Sequence, residues 1–353
     1  MLEVILSFGL SFLLTFISIP VVIKVAELLG LVDYPDERKS HIKITPSFGG
    51  IGIFIGFLLV IMLVSPMEHL DQFRYILASL LVVFIVGAKD DMDPISPLKK
   101  LGGQVLAISL LIFLADIRIS SLYGVLGVEE LPYALSVVIT MVFFVFLINS
   151  FNLIDGINGL ASSITILASA VLGSWFFLVG QEAYCIFAFA VTGSTLAFLY
   201  FNITPARIFM GDTGSLILGT ACSIMAIHFL ESNALMSGGA YYLEAAPALA
   251  LSIFILPAFD TIRVFVLRLS KGKSPFLPDK NHIHHLLLDF GLTHMQATAT
   301  LLVSNLAFMI LAINLQSINQ LVLMLTLLSL AFVSTQTLSI AVYSKKKGFI
   351  RSS

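Results

Sequence analysis

Residues 132–150 read PYALSVVITMVFFVFLINS, nineteen positions without one acid or base. A continuous apolar run of that length crosses a hydrocarbon core as a helix, whereas the strands of a membrane barrel alternate over about ten residues. Ten more runs share its character: roughly 4–23, 48–65, 74–88, 98–115, 160–179, 183–200, 213–230, 246–267, 297–315 and 320–343. The 353 residues are 58% hydrophobic and only 11% charged, with a mean hydropathy of +1.02, where soluble domains carry about 25% charged residues. These features predict an all-α fold, a polytopic transmembrane helix bundle of 10–11 spans that forms one integral membrane domain over 1–353. Glu3 stands where a signal peptide would carry a basic residue, so the first run reads as a retained span. Cys185 and Cys222 fall inside runs and read as small core residues.

Charge gives the orientation. Threading eleven spans places seventeen of the nineteen basic residues on one side, from Lys24 through Lys99, Lys100 and Arg268 to the Lys345–Lys347 tail. Only Arg74 and Arg118 fall on the other side, among Glu68, Asp71, Asp116, Glu129, Glu130, Glu231 and Glu244. By the positive-inside rule the basic side is the cytoplasm, which leaves the N-terminus outside and the C-terminus inside.

Every polar cluster with chemical character falls on that cytoplasmic side. Lys89-Asp90-Asp91-Met92-Asp93 follows the 74–88 run directly. Adjacent carboxylates repel and are costly beside a membrane, so a compensating cation is expected. Mg²⁺ takes carboxylate oxygens, keeps waters and bridges to substrate phosphates, and Lys89, Lys99 and Lys100 suit phosphate as well. The plain alternative is a solvated helix end. Asn149, Asn152 and Asp155 recur every third residue, which puts them near one helix face, and Asn158 follows. That pattern suits recognition of a polar ring such as a base or sugar, or else ordinary helix-end hydrogen bonding.

Gly211-Asp212-Thr213-Gly214-Ser215 is a tight turn opening a helix, whose N-terminus can hold an anion or simply be capped by Asp or Thr. Asp212 is a second candidate for the cation of Asp90 and Asp91. Asp260-Thr261-Ile262-Arg263 and Pro278-Asp279-Lys280-Asn281-His282-Ile283-His284-His285 complete the set. Zinc is disfavoured at the histidines, because no cysteine accompanies them and the spacing suits one metal poorly. Phosphate or sugar contact, or protonation of a leaving group, fits better. His228, alone near the outer end of a span, reads as structural. The cytoplasmic segments 24–47, 88–98, 149–160, 201–215 and 260–295 are thus expected to assemble one site. Span interiors with almost no ionisable residue argue against an ion-coupled transporter. A lipid-phosphate hydrolase would not need both an acid pair and an amide cluster.

The order of these motifs resembles the polyprenyl-phosphate N-acetylhexosamine-1-phosphate transferase superfamily from about Gly30 to Leu292. The likeness is greatest to the bacterial branch that starts O-antigen, enterobacterial common antigen and teichoic acid assembly. It rests on Asp33-x-Pro35 through Arg38-Lys39-x-His41 to Pro46-x-x-Gly49-Gly50, on Asp90-Asp91, and on Asn149-x-x-Asn152-x-x-Asp155-Gly156-x-Asn158-Gly159. Gly211-Asp212-x-Gly214-Ser215 and the closing His282-Ile283-His284-His285 complete it. The resemblance implies transfer of a sugar 1-phosphate from a UDP-sugar, UDP-N-acetylglucosamine being favoured and another UDP-N-acetylhexosamine or UDP-MurNAc-pentapeptide the alternative, to undecaprenyl phosphate with release of UMP. It implies Mg²⁺ or Mn²⁺, the bacterial inner membrane, no nucleic acid, and leaves a homodimer open. On the same ground Asp91 and Asp212 are expected to hold the metal, and Asp90 to deprotonate or orient the lipid phosphate, with a covalent role for Asp90 as the rival. Lys43, Asn152, Asp155 and Asn158 are expected to hold the nucleotide, and Arg263, His282, His284 and His285 the pyrophosphate or sugar; the catalytic set is Asp90, Asp91, Asp155 and His284. Two positions depart from the family pattern. Pro94 stands where a third acid is usual, so Asp93 is assigned no role, and Asn158 replaces an acid.

Overall fold

The computed structural model describes residues 1–33, 45–65, 67–203, 205–272 and 281–352, without the side chains of 32–33, 67–72, 346 and 348–352. Lys43 and the 278–280 part of the histidine motif lie outside the described residues. The chain divides into two compact units, Met1–Tyr242 and Leu243–Ser353.

The first unit holds α1 (Leu2–Leu28), α2 (Gly49–Val64), α3 (Met67–Met92), α4 (Pro97–Leu114), α5 (Tyr133–Ile154), α6 (Leu160–Leu178), α7 (Glu182–Asn202) and α8 (Gly211–Leu235). Two residues on each side pair as strands, β1 (Val32–Asp33) antiparallel to β2 (Thr45–Pro46). Almost all of α8 is buried, and α2, α3, α5 and α6 pack around it. Backbone bonds from Phe209 N–H to Pro46 C=O (2.8 Å), Gly49 N–H to Phe209 C=O (2.9 Å) and Gly50 N–H to Met210 C=O (2.9 Å) align the entrances of α2 and α8.

The second unit holds α9 (Ala246–Ile253), α10 (Ile255–Ser270), α11 (Ile283–Phe290), α12 (His294–Asn314) and α13 (Gln320–Ser352). The 246–267 run is broken at Phe254, where α9 and α10 meet at 77°. Pro257 explains the position, since it lacks an N–H and its ring clashes with the carbonyl four residues back. That carbonyl belongs to Ile253, and the Asn305 amide of α12 donates to it at 3.1 Å.

All eleven expected runs are helical, and the all-α membrane bundle is observed. Among the described residues eight helices are long and apolar enough to cross a membrane, or nine when α9 and α10 count as one bent span. The difference from eleven lies in α2, only 16 residues long, and α3, whose first six side chains lie outside the described residues.

Candidate active site

Successive residues of a helix point about 100° apart, and Asp90 and Asp91 at the end of α3 serve different partners. Asp91 turns to the start of α8. Its Oδ1 accepts from the Asp212 N–H at 2.7 Å, and its Oδ2 from the Thr213 N–H at 2.9 Å and the Thr213 hydroxyl at 2.6 Å. The first N–H groups of a helix have no partner within it, and the helix dipole favours negative charge there. The acceptor at this helix entrance is thus a side chain of the protein.

Asp90 turns the other way. Its Oδ1 accepts from the Ile95 N–H at 2.7 Å and its Oδ2 from the Lys100 ammonium at 3.1 Å. Lys100 also donates to Asp212 Oδ2, so one cation joins the acids of α3 and α8. Pro97 opens α4 at its first turn, where its missing N–H costs nothing, and Lys100 follows in that turn. The Lys100 side chain is 15% exposed, whereas Lys99 lies in solvent. Sequence reasoning grouped the two together; only the fold singles out Lys100. Asp93 pairs with Lys89 on the surface, in keeping with its having no assigned role.

The amide cluster of α5 divides in the same way. The Asn152 amide donates to Asp212 Oδ1 at 2.6 Å and to the Ser215 hydroxyl at 2.9 Å, so it belongs to the acid cluster. Asn149 instead donates to Gln104 Oε1 at 2.9 Å and ties α5 to α4. Asp155 follows α5 directly; burial first, and then the Asp212 and Asp91 charges, push its carboxyl well above the usual carboxylate range. Asn158 lies in the turn before α6. That turn is fixed by the Gly159 N–H donating to Asn202 Oδ1 at 2.7 Å, while the Asn202 amide donates to Ile208 C=O at 2.9 Å.

Two glycines permit these approaches. A Cβ on Gly87 of α3 would lie 2.5 Å from Thr213 Cα and 2.7 Å from Thr213 N. Gly211 has φ +71°, and a Cβ there would meet Ser47 C=O at 2.2 Å and Asp91 Oδ2 at 2.6 Å.

In the second unit Asp260 of α10 is the hub. Its Oδ2 faces His282 Nδ1 at 2.8 Å, and its Oδ1 accepts from the Ile283 N–H at 3.0 Å and Arg263 Nη2 at 3.1 Å. Arg263 also donates to Asn281 C=O. The His282 and His284 rings lie parallel, 5.6 Å apart, and His285 sits 4.3 Å from His284. Burial, and then the neighbouring His285, push His284 down to about 3, so its imidazole is neutral. Thr261 Oγ1, Arg263 Nε and His284 Nε2 are buried without a hydrogen-bond partner, a costly arrangement that a bound polar ligand would relieve. Ile283, between the two parallel histidines, lines an apolar cavity of about 510 Å³ with Phe259, Leu287, Leu301 and Phe308.

A hard divalent cation fits the first cluster. Its charged donors are carboxylate oxygens, and Lys100 already shows that positive charge is stable between Asp90 and Asp212. Among the described residues no three Asp, Glu, His or Cys side chains are spaced as a ready-made cage. Mg²⁺ does not need one, because it usually takes one or two carboxylates and completes its shell with waters and substrate phosphates.

Residues 73–230 match the sequence profile of glycosyl transferase family 4. The chain is 30% identical to a probable undecaprenyl-phosphate N-acetylglucosaminyl 1-phosphate transferase of Bacillus subtilis, over 90% of this chain and 86% of that protein. It is 31% identical to the undecaprenyl-phosphate α-N-acetylglucosaminyl 1-phosphate transferase of Yersinia pestis, over 78% of this chain and 74% of that one. A decaprenyl-phosphate N-acetylglucosaminephosphotransferase of Mycolicibacterium smegmatis is also 31% identical, over 76% and 71% of the two chains. With relatives of this identity matched over most of both lengths, the chain belongs to glycosyl transferase family 4, among the polyprenyl-phosphate N-acetylglucosamine-1-phosphate transferases.

Proposed function

We propose that this protein transfers N-acetylglucosamine 1-phosphate from UDP-N-acetylglucosamine to undecaprenyl phosphate and releases UMP, at the cytoplasmic face of a bacterial inner membrane. The observation that carries the reading is the convergence of Asp90, Asp91, Asp212, Lys100 and Asn152 at one end of a buried helix, in a chain of this family. A lipid phosphate oxygen attacks the β-phosphorus, the bond to UMP breaks, and UMP leaves with the electron pair. Catalysis of this kind is mainly positioning and charge stabilisation.

Asp91 and Asp212 are assigned to hold Mg²⁺, which when bound would neutralise charge on the pyrophosphate. Asp91 keeps the entrance of α8 in place while doing so. Asp90, held by Ile95 N–H and Lys100, orients or deprotonates the lipid phosphate. Asn152, Asp155, Asn158 and Lys43 are assigned to the nucleotide. Arg263, His282, His284 and His285 are assigned to the pyrophosphate or sugar, for which the unpartnered Arg263 Nε is a suitable donor and His284 Nε2 a donor or acceptor according to its tautomer.

The test is a transfer assay on purified protein with undecaprenyl phosphate, Mg²⁺ and a panel of UDP-sugars. UMP is expected with UDP-N-acetylglucosamine and not after EDTA. UMP with a different UDP-N-acetylhexosamine alone would keep the reaction and change the sugar, while inorganic phosphate without UMP would mean a hydrolase. Metal binding has its own readout. Lys100→Met leaves Asp90 and Asp212 without their shared cation, and removing one partner of a half-buried pair costs about 1–3 kcal/mol. Its thermal midpoint should fall, and added Mg²⁺ should raise the midpoint of the variant more than that of the parent.

A further inference from the structure

We propose that Asp260 is a positioning residue that sets the tautomer and orientation of His282 and so prepares the histidine cluster for its substrate. This rests on the functional reading above, which assigns the histidines to substrate but gives Asp260 no part. Asp260 is 3% exposed, and both of its oxygens are committed to the histidine segment. An ionised carboxylate can only accept, so the 2.8 Å contact with His282 Nδ1 places the proton on Nδ1. His282 Nε2 then carries the lone pair and is the ring atom left to accept from a substrate hydroxyl. The second oxygen takes the Ile283 N–H at the first turn of α11, and the same oxygen takes Arg263 Nη2. One carboxylate therefore fixes His282, the start of the helix bearing His284 and His285, and the guanidinium whose Nε is unpartnered.

The positioning follows from the chain geometry. His282 is the N-cap of α11 in extended conformation, with φ −62° and ψ 151°, and its side chain makes no cap bond. Its ring therefore turns away from the helix it precedes, toward α10. Asp260 and Arg263 are three residues apart on α10 and share one face. The parallel stacking of the His282 and His284 rings at 5.6 Å carries the fixed orientation on to the neutral His284. The arrangement is the carboxylate–histidine pairing that elsewhere fixes ring orientation and raises imidazole basicity.

The test is ¹⁵N NMR of ring-labelled histidine in the full-length protein, with His282 assigned by its loss in His282→Gln. Wild type is expected to show a protonated Nδ1 at His282. Asp260→Asn keeps an oxygen for the Ile283 N–H and presents an amide donor to His282 Nδ1, so the Nε2–H tautomer should appear. Turnover should fall about 10- to 100-fold, with KM for the UDP-sugar nearly unchanged. In a His282→Gln background the same Asp260 substitution should cost far less, only what the weaker hold on Arg263 costs. Wild-type His282 protonated only on Nε2, or equal losses from Asp260→Asn in both backgrounds, would overturn the proposal. The tautomer measurement needs no turnover, so it stands even if no UMP is formed from any sugar. If Asp260→Asn does not fold, the wild-type spectrum and Asp260→Glu, which retains the carboxylate and should retain the Nδ1–H tautomer, decide the question.

Discussion

Asp90→Asn should lower UMP formation by about 10²- to 10⁴-fold, the range spanned by a positioned acid–base group, while leaving the fold intact. The asparagine carbonyl still accepts from the Ile95 N–H, so the turn after α3 keeps its bond. The negative charge beside Lys100 disappears, and with it the group that would draw a proton from the lipid phosphate or align it. Asp93→Asn is the matched control: an exposed acid three residues on, paired with Lys89 on the surface, whose loss should leave turnover unchanged. Equal activity of Asp90→Asn and wild type would remove Asp90 from the mechanism. Single-turnover mixing without acceptor lipid separates the two routes. Direct attack predicts no UMP until lipid is added, whereas a stoichiometric burst would mean that Asp90 forms a covalent intermediate.

The sequence displayed the acids and amides but not their division of labour. Continuous apolar runs announced helices, and all of them formed, because in a membrane each backbone group must be satisfied within its own segment. The break at Phe254 was hidden in an apolar run, although Pro257 marked it, since the companion Asn305 lies some fifty residues away. At the site, adjacency in sequence misleads. Asp90 and Asp91 read as one unit, yet the helix turns one to Lys100 and the other to the backbone of α8. Asn149 and Asn152 read as one face, yet only Asn152 reaches Asp212. Lys100 looked like any juxtamembrane lysine, because its partnership with Asp212 spans 112 residues of chain and no local pattern encodes it. Asp260 stood out as polar, but its bond to His282 depends on where α11 begins. Helices are written locally, whereas the site is written in the tertiary contacts between helix ends.

Gly87→Ala should be strongly damaging although it removes no ionisable group. Gly87 lies within the apolar part of α3 and carries no chemistry, but its missing side chain is what lets α3 touch the backbone of α8 at Thr213. An added methyl would sit 2.5 Å from Thr213 Cα and 2.9 Å from Asp212 C=O, and backbone in a buried helix has nowhere to yield. Overpacking of this kind costs about 1–3 kcal/mol. The functional cost should be larger than that figure implies. The displaced atoms are those whose N–H groups hold Asp91, and Asp212 moves with them, so the carboxylates proposed for the cation separate by several tenths of an ångström. Turnover should fall by at least about 100-fold, as is common for ångström-scale misplacement of catalytic groups, and saturating Mg²⁺ should recover little of it. Gly102→Ala supplies the contrast. Gly102 lies in α4 with open space around its Cα, so alanine there should be neutral or stabilising by about 1 kcal/mol with turnover unchanged. Thermal unfolding and UMP release measured on both variants separate a general intolerance of Gly→Ala in membrane helices from a specific need for contact between α3 and α8. If Gly87→Ala matched Gly102→Ala in both readouts, the two helices would not meet at Thr213, and the placement of Asp91 on the α8 entrance would fall with them.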